Sequence, residues 1–307
     1  RAQWSDMPEH VRGAIDEIAG SPVVDTCTLQ GGFSPGPAAR CRLADGRVVF
    51  VKAAGLSLNP QTPEMHRREA RVLAALHQDV PAPSLIGSFD DGDWVALVIE
   101  WVEGSMPVAP LATDAVDRIL DLVRRLAGID GAETLLSVED AHPGLFGHWR
   151  QLADAPPDGL DAWSRRHLEE LVELEADAAV AVRGDRLVHV DLRSDNVILA
   201  HTGGSEDVIV DWPGAAVGAP WVDLVGLLPA LELDGGPTPE QVFEQHPVGR
   251  AADPDAVTSF VVAVAGYFTR MSLMDPPPGL PTVRQFQAAQ GRVARRWVAS
   301  RRRWPPS

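Results

Sequence analysis

The sequence predicts an α+β fold: a small antiparallel sheet with one inserted helix, followed by a larger and mostly helical part. Three observations predict it. Short runs rich in Val, Ile and Phe recur between residues 23 and 100. The dipeptide Asp45-Gly46 and the turn Asp90-Asp91-Gly92-Asp93 each join two of those runs. Beyond Gly104 the apolar residues recur at helical spacing instead.

Taken in order, residues 8–19 read as a short amphipathic helix with Pro8 near its start. Strands are expected at 23–30, 37–43 and 48–52, the last ending on Lys52. Pro63 opens a helical pattern to about His77, with Val72, Ala75 and Leu76 on one face, and Pro81-Ala82-Pro83 breaks it. Strands at 84–89 and 94–100 complete the sheet. Helices are expected at 111–126 and 161–182, and 187–189 leads into a loop. Segments 197–200 and 208–211 form a hairpin around Thr202-Gly203-Gly204, and the pattern is mostly helical from Asp223 to the basic end at Arg301-Arg302-Arg303. These elements divide the chain into a small β-rich N-terminal lobe at 1–103, a hinge at about 98–104, and a larger helical C-terminal lobe at 104–307. A cleft between lobes is the usual place for a small ligand.

Composition narrows the function. With 45% hydrophobic and 23% charged residues, the 307-residue chain reads as a soluble globular protein. No apolar run approaches the roughly 18 residues needed to cross a bilayer. The start, Arg1-Ala2-Gln3-Trp4, has no signal-peptide apolar region, so a cytoplasmic location is expected and no membrane partner. The formal charge of -16 is the wrong sign for a general nucleic-acid binder. It favours solubility and, weakly, a cationic small substrate. Cys27 and Cys41 do not make a disulfide framework and read as small apolar strand residues.

The basic residues carry a sharper signal. Of 27, only Lys52 is a lysine, and asparagine occurs only at Asn59 and Asn196. GC-biased coding makes both residue types scarce. A lysine or asparagine that survives such bias marks a position where arginine or aspartate does not serve.

Four motifs carry chemistry. The octet His189-Val190-Asp191-Leu192-Arg193-Ser194-Asp195-Asn196 resembles the H-x-D-L-x-x-x-N catalytic loop of kinases. With nine His and two Asn in the chain, the spacing arises by chance on the order of 0.01 times, so it is specific. Its chemistry needs a carboxylate, Asp191, to accept the hydroxyl proton of an acceptor during phosphoryl transfer. It also needs an amide oxygen, on Asn196, to ligate Mg²⁺ without adding charge. The second motif, Val208-Ile209-Val210-Asp211, is an apolar run ending in an acid, where kinases place a second Mg²⁺ ligand; here Trp212-Pro213-Gly214 follows it. The third is Lys52, expected to clamp nucleotide phosphates and to pair with Glu69 on the inserted helix, with Glu64 as the alternative. The fourth is the loop Gln30-Gly31-Gly32-Phe33-Ser34-Pro35-Gly36. The backbone at Gly32 and the hydroxyl of Ser34 are placed to cover the phosphates, although Pro35 and Pro37 remove two donors. In the hinge, the Glu100 carbonyl and the Val102 amide are expected to meet adenine.

On these residues the chain resembles the aminoglycoside phosphotransferase family of small-molecule kinases, part of the protein-kinase-like fold. The resemblance covers about residues 25–230 with the motifs in the family's order. It implies a two-lobed fold, ATP (or GTP) and Mg²⁺ as cofactors, and a hydroxylated small molecule as acceptor. The family's usual His-Gly-Asp-Leu is His-Val-Asp-Leu here. Arg193 stands where the family often has histidine, and it is expected to touch the transferring phosphoryl group or to pair with Asp195. Asp223-Leu224 resembles the family's Asp-Leu, with Asp223 buttressing the catalytic loop. Only 213–222 separates Asp211 from Asp223, too short for a protein-kinase activation segment. The resemblance suggests an aminoglycoside-like or other natural-product antibiotic as acceptor, and so resistance or self-protection. A metabolic kinase for a sugar, amino alcohol or nucleoside is the competing reading, and a non-catalytic nucleotide-binding protein a third. Glu232, Asp234, Glu240 and Glu244 are the carboxylates available to a cationic substrate, while Trp149, Trp163 and Trp221 are expected in the core.

Overall fold

The computed structural model of the chain describes residues 2–29, 35–201, 206–277 and 281–306. The chain forms two compact units, Arg1–Ser105 with Ala200–Pro213, and Met106–Leu199 with Gly214–Ser307. The returning segment that carries Asp211 therefore belongs to the first unit.

In the first unit, α1 (Glu9–Ala19) follows Pro8 and ends at Gly20, whose φ of 72° lies in the left-handed region that favours glycine. Its apolar stripe Val11, Ile15 and Ala19 is buried. The strands are β1 (Val23–Thr28), β2 (Ala38–Leu43), β3 (Val48–Gly55), β4 (Leu85–Asp90) and β5 (Trp94–Glu100). They make one antiparallel sheet in the order β1-β2-β3-β5-β4, with α2 (Thr62–Ala75) inserted between β3 and β4. Strand alternation sends Val49, Val51 and Ala53 to the core shared with α1, and Lys52 to the opposite face. β3 runs three residues beyond Lys52, so the lysine is interior to the strand and not at its end. Asn59 explains its own survival: its Oδ1 accepts the Gln61 and Thr62 N–H groups at 2.8 and 3.1 Å and starts α2. Gly36 is required by close approach, since a Cβ there would lie 2.0 Å from the Ala53 carbonyl oxygen on β3. Gln30, Gly31, Gly32, Phe33 and Ser34, and the Thr202-Gly203-Gly204 turn, lie outside the described residues. The short β6 (Gly104–Ser105) closes the first stretch of this unit.

The second unit is mostly helical. It contains α3 (Thr113–Leu126), α4 (Val138–Ala141) and α5 (His148–Asp154). The single helix expected at 161–182 is three: α6 (Ala162–Arg166), α7 (Leu168–Glu175) and α8 (Ala178–Ala181). The first break falls at His167, whose ring stacks on Trp304 at 4.2 Å and packs on Trp163 at 5.1 Å. That contact with the far end of the chain overrides the local helical pattern. β7 (Arg186–Val188) leads to the loop 189–196 and β8 (Val197–Ala200) leaves it, before β9 (Val208–Ile209) in the returning segment. β10 (Ala216–Gly218) pairs antiparallel with β7. Then follow α9 (Val222–Leu233), α10 (Pro239–Gln245), α11 (Pro247–Ala251), α12 (Pro254–Ser272) and α13 (Val283–Arg302). α9 is apolar on nearly every side and buried from Val222 to Leu231 apart from Gly226. Trp149, Trp163 and Trp221 are core residues as expected, and the Trp149 indole donates to the Val262 carbonyl at 2.7 Å.

Both oxygens of buried Glu175 accept backbone N–H groups at the start of α5, from His148 and Trp149, each at 2.9 Å. Burial pushes the Glu175 carboxyl up to about 7, against the pull of those N–H donors. The folded chain therefore holds a proton there that the unfolded chain has lost between pH 4.5 and about 7. Unfolding free energy should fall by up to about 3 kcal/mol as pH rises through that window. Denaturant titrations at several pH values should show this slope in the wild type and a flatter one in Glu175→Gln.

Candidate active site

The first unit gathers three of the predicted residues. The Lys52 ammonium lies against Glu69 and 3.0 Å from Asp211 Oδ1. Glu69 is buried on α2, whereas Glu64 is exposed and pairs with Arg67 and Arg71, which settles the partner of the lysine. Burial opposes the Lys52 charge, but the facing carboxylates of Glu69 and Asp211 outweigh it and hold the amine above its usual range. One cation between two carboxylates leaves a net charge of about -1 and a site disposed to a further cation.

Asp211 occupies the left-handed region with φ of 68° and keeps a half-exposed side chain. Trp212 holds it there. Its indole is fully buried and donates to the Ile209 carbonyl at 2.7 Å, and its own N–H donates to Glu69 Oε1 at 3.3 Å. The sequence offered Trp212 only as a departure from Phe-Gly; its anchoring of Asp211 was missed. At the end of β5, the Glu100 carboxylate accepts the Ser84 N–H at 3.1 Å. Val102 is buried, and among the described residues its N–H meets no backbone acceptor.

The second unit gathers the others. The buried carboxylate of Asp223, in the first turn of α9, accepts the His189 N–H at 2.7 Å and the Val190 N–H at 2.8 Å. Burial pushes the Asp223 carboxyl up; His189 and the two N–H groups pull it the other way. This clamp holds Val190 at φ of 71°, a left-handed conformation that a β-branched residue adopts only under constraint. The resembling family's glycine at this position has a direct reason there. Asp191 follows with its side chain 58% exposed. Arg193 spans two carboxylates, at 2.5 Å from Asp191 Oδ1 and 2.9 Å from Asp195 Oδ1. The expected pair with Asp195 is present, and the bond to Asp191 is an addition the sequence did not offer. The Asn196 amide nitrogen donates to the Asp191 carbonyl at 2.8 Å, and Ser194 Oγ bonds Asp234.

Family membership is the remaining observation, and it covers most of this structure. Residues 40–260 match the model of the APH family, described as the phosphotransferase enzyme family. The chain belongs to that family. The APH chain has the fold of the protein-kinase-like small-molecule kinases. It is similar to choline kinase LicA from Streptococcus pneumoniae (TM-score 0.59, 16% identity, 92% of this chain and 99% of that one). Macrolide 2'-phosphotransferase MphH from Brachybacterium faecium is also similar (TM-score 0.55, 18% identity, 96% and 98%). So is an aminoglycoside-3'-phosphotransferase of type VIII (TM-score 0.54, 21% identity, 85% and 100%). No curated protein matches the sequence. No described helix is long and apolar enough to cross a membrane.

Each unit offers an oxygen of the kind a hard divalent cation takes. In the second unit Asn196 has committed its amide nitrogen to a carbonyl, and in the first Asp211 keeps a half-exposed carboxylate. Among the described residues no group of three His, Cys, Asp or Glu is placed to hold a metal alone. A Mg²⁺ held by one or two protein oxygens takes the rest from phosphates and water.

Asp223→Ala removes the carboxylate that accepts two backbone N–H groups and should destabilise the protein by about 2–4 kcal/mol. Val190→Gly relieves about 1–2 kcal/mol of left-handed strain against a flexibility cost of 0.5–1. Its unfolding free energy should stay level or rise by up to about 1.5 kcal/mol, as read by urea denaturation. A clear loss of stability in Val190→Gly would show that the side chain packs more than it strains.

Proposed function

We propose that the protein is an ATP- and Mg²⁺-dependent phosphotransferase that moves the γ-phosphoryl group to a hydroxyl of a small molecule, a natural-product antibiotic. The observation that carries the reading is the catalytic loop. Asn196 ties its amide to the carbonyl of Asp191, while the Asp191 carboxylate stays exposed beside Arg193. A carboxylate so placed orients an acceptor hydroxyl and accepts its proton.

The roles follow from the charges. Lys52, kept cationic by Glu69, binds the nucleotide phosphates. The unmatched N–H of Val102, with the Glu100 carbonyl, receives the nucleobase. Gly32 and Ser34 are assigned to the phosphate-covering loop on sequence alone. Asn196 and Asp211 would hold Mg²⁺, which neutralises phosphate charge when bound. The acceptor oxygen forms a new bond to the γ-phosphorus as the bond to the β–γ bridging oxygen breaks. ADP leaves with that electron pair, the proton passes to Asp191, and Arg193 faces the charge that develops on the transferred group. Positioning and charge neutralisation supply most of the rate. A protected reaction on a drug hydroxyl would serve resistance or self-protection in the cytoplasm.

Phosphate transfer from ATP to a panel of hydroxylated antibiotics and metabolites tests the reading. Asp191→Asn should lower turnover by about 10²–10⁴-fold with nucleotide affinity unchanged. Lys52→Ala should weaken nucleotide binding instead. Nucleotide bound without transfer to any acceptor would sink the enzymatic reading.

A further inference from the structure

The acidic residues that the sequence leaves open to a cationic substrate are separated by the fold. Glu232 pairs with Arg296 on α13, and Glu240 takes the Trp297 indole N–H and the Arg301 guanidinium, the latter at 3.1 Å. Glu244 is exposed on α10. Asp234 alone of the set reaches the loop 189–196: it accepts from Ser194 Oγ, 40 residues back in the chain. Ser194 is buried, and a buried hydroxyl needs a partner. A carboxylate is a stronger acceptor for it than a neutral oxygen.

Asp234 caps the C-terminus of α9. That end is the negative pole of the helix, where a carboxylate is unfavourable. Helix stability therefore gives no reason for an acid here, and the bond to Ser194 gives one. The backbone of Asp234 is held from both sides. Its N–H donates to the Ala230 carbonyl at 3.0 Å, and its own carbonyl accepts the Leu111 N–H at 2.8 Å. Gly235 follows at φ of 93°, and the Gly236 N–H donates to the Leu231 carbonyl at 2.8 Å. α9 thus grips the loop twice. Asp223 in its first turn accepts the N–H groups of His189 and Val190, and Asp234 at its end holds the Ser194 side chain, with Asp191 between them in sequence.

What Ser194 holds is a single 3-10 turn, Ser194–Asn196. The Asn196 N–H closes it onto the Arg193 carbonyl at 3.0 Å, and the Val197 N–H onto the Ser194 carbonyl. So short a turn has little stability of its own. Asn196, at its end, donates its side-chain amide to the Asp191 carbonyl at 2.8 Å. A displaced Ser194 therefore shifts Asn196 and frees the backbone of Asp191. We infer that Asp234 is a positioning residue: through Ser194 it fixes the turn 194–196, and with it the aim of the Asp191 carboxylate and of the Asn196 amide oxygen. The effect expected on turnover rests on the phosphotransferase reading; the tether itself does not.

Two measurements on the full chain test it. In steady-state turnover with ATP, Mg²⁺ and an acceptor found by the panel above, Asp234→Ala and Ser194→Ala should each lower kcat about tenfold, with both KM values within about twofold. The double variant should be no worse than either single one, because both cut the same link. Asp234→Asn keeps an oxygen that accepts the Ser194 hydroxyl and should hold kcat within about threefold of wild type. Amide hydrogen exchange of the free chain is the second readout. The amides of Asn196 and Val197 should exchange about tenfold faster in Asp234→Ala and in Ser194→Ala, close to the wild-type rate in Asp234→Asn, and the interior of α9 should stay protected. Should Asp234→Ala fail to fold, Ser194→Ala set against Asp234→Asn decides in the same way. Additive losses in the double variant, a raised acceptor KM at unchanged kcat, or unchanged exchange at residues 196 and 197 would overturn the inference. A wild-type chain that transfers no phosphoryl group defeats the enzymatic reading instead, and exchange alone then decides the tether.

Discussion

Lys52 is a cation removed from water in the middle of a strand, and the first unit is arranged around that fact. An ammonium in such a place persists only beside carboxylates. Glu69 comes from α2 and Asp211 from a segment 159 residues further along the chain. One charge thus ties the sheet, the inserted helix and the returning segment to each other. Breaking a buried pair strands the remaining charge, at a typical cost of about 3–5 kcal/mol, so the three elements hold together or fail together. The cluster keeps a net negative charge and a half-exposed Asp211, which a purely structural ion pair has no reason to retain.

The second unit solves a similar problem with an opposite charge. Asp223 is a buried carboxylate, and its partners are the backbone N–H groups of His189 and Val190. Those two bonds compensate its burial and fix the turn that aims Asp191. The strain at Val190 shows how firmly the turn is imposed, because the residue sits at φ of 71° despite its branched side chain. Asp211 carries similar strain at φ of 68°. Both residues lie at or next to a half-exposed carboxylate, where local strain is offset by long-range bonds.

Legibility followed chemistry. Asp191, Asn196, Asp211, Lys52 and Glu69 stood out because phosphoryl transfer restricts residue type and spacing together. Family membership and the kinase-like fold were readable from the same residues. Trp212 was not, since an aromatic after an acid has no meaning until the Ile209 carbonyl and Glu69 are found around it. Glu175 was invisible for the same reason: its partners at the start of α5 lie 26 and 27 residues away. The helix expected at 161–182 broke because His167 stacks on Trp304, a contact that no local window contains. Lys52 itself was placed at a strand end because the run of β-branched residues stops there, whereas β3 continues through Ala53, Ala54 and Gly55 by pairing with β5.

The acceptor side divides in the same way. Sequence supplied four carboxylates and three tryptophans as candidates, and the fold assigned nearly all of them to internal partners. What lies next to Asp191 instead is Arg193 with Phe286, brought together from positions 93 residues apart. The sequence by itself determined the family and the sheet with its inserted helix, and it singled out the residues of the proposed reaction, because chemistry and local pattern restrict their types. Only the tertiary structure decided which charges are already satisfied and which backbone is strained, because burial and pairing depend on contacts between segments that no local stretch of chain encodes.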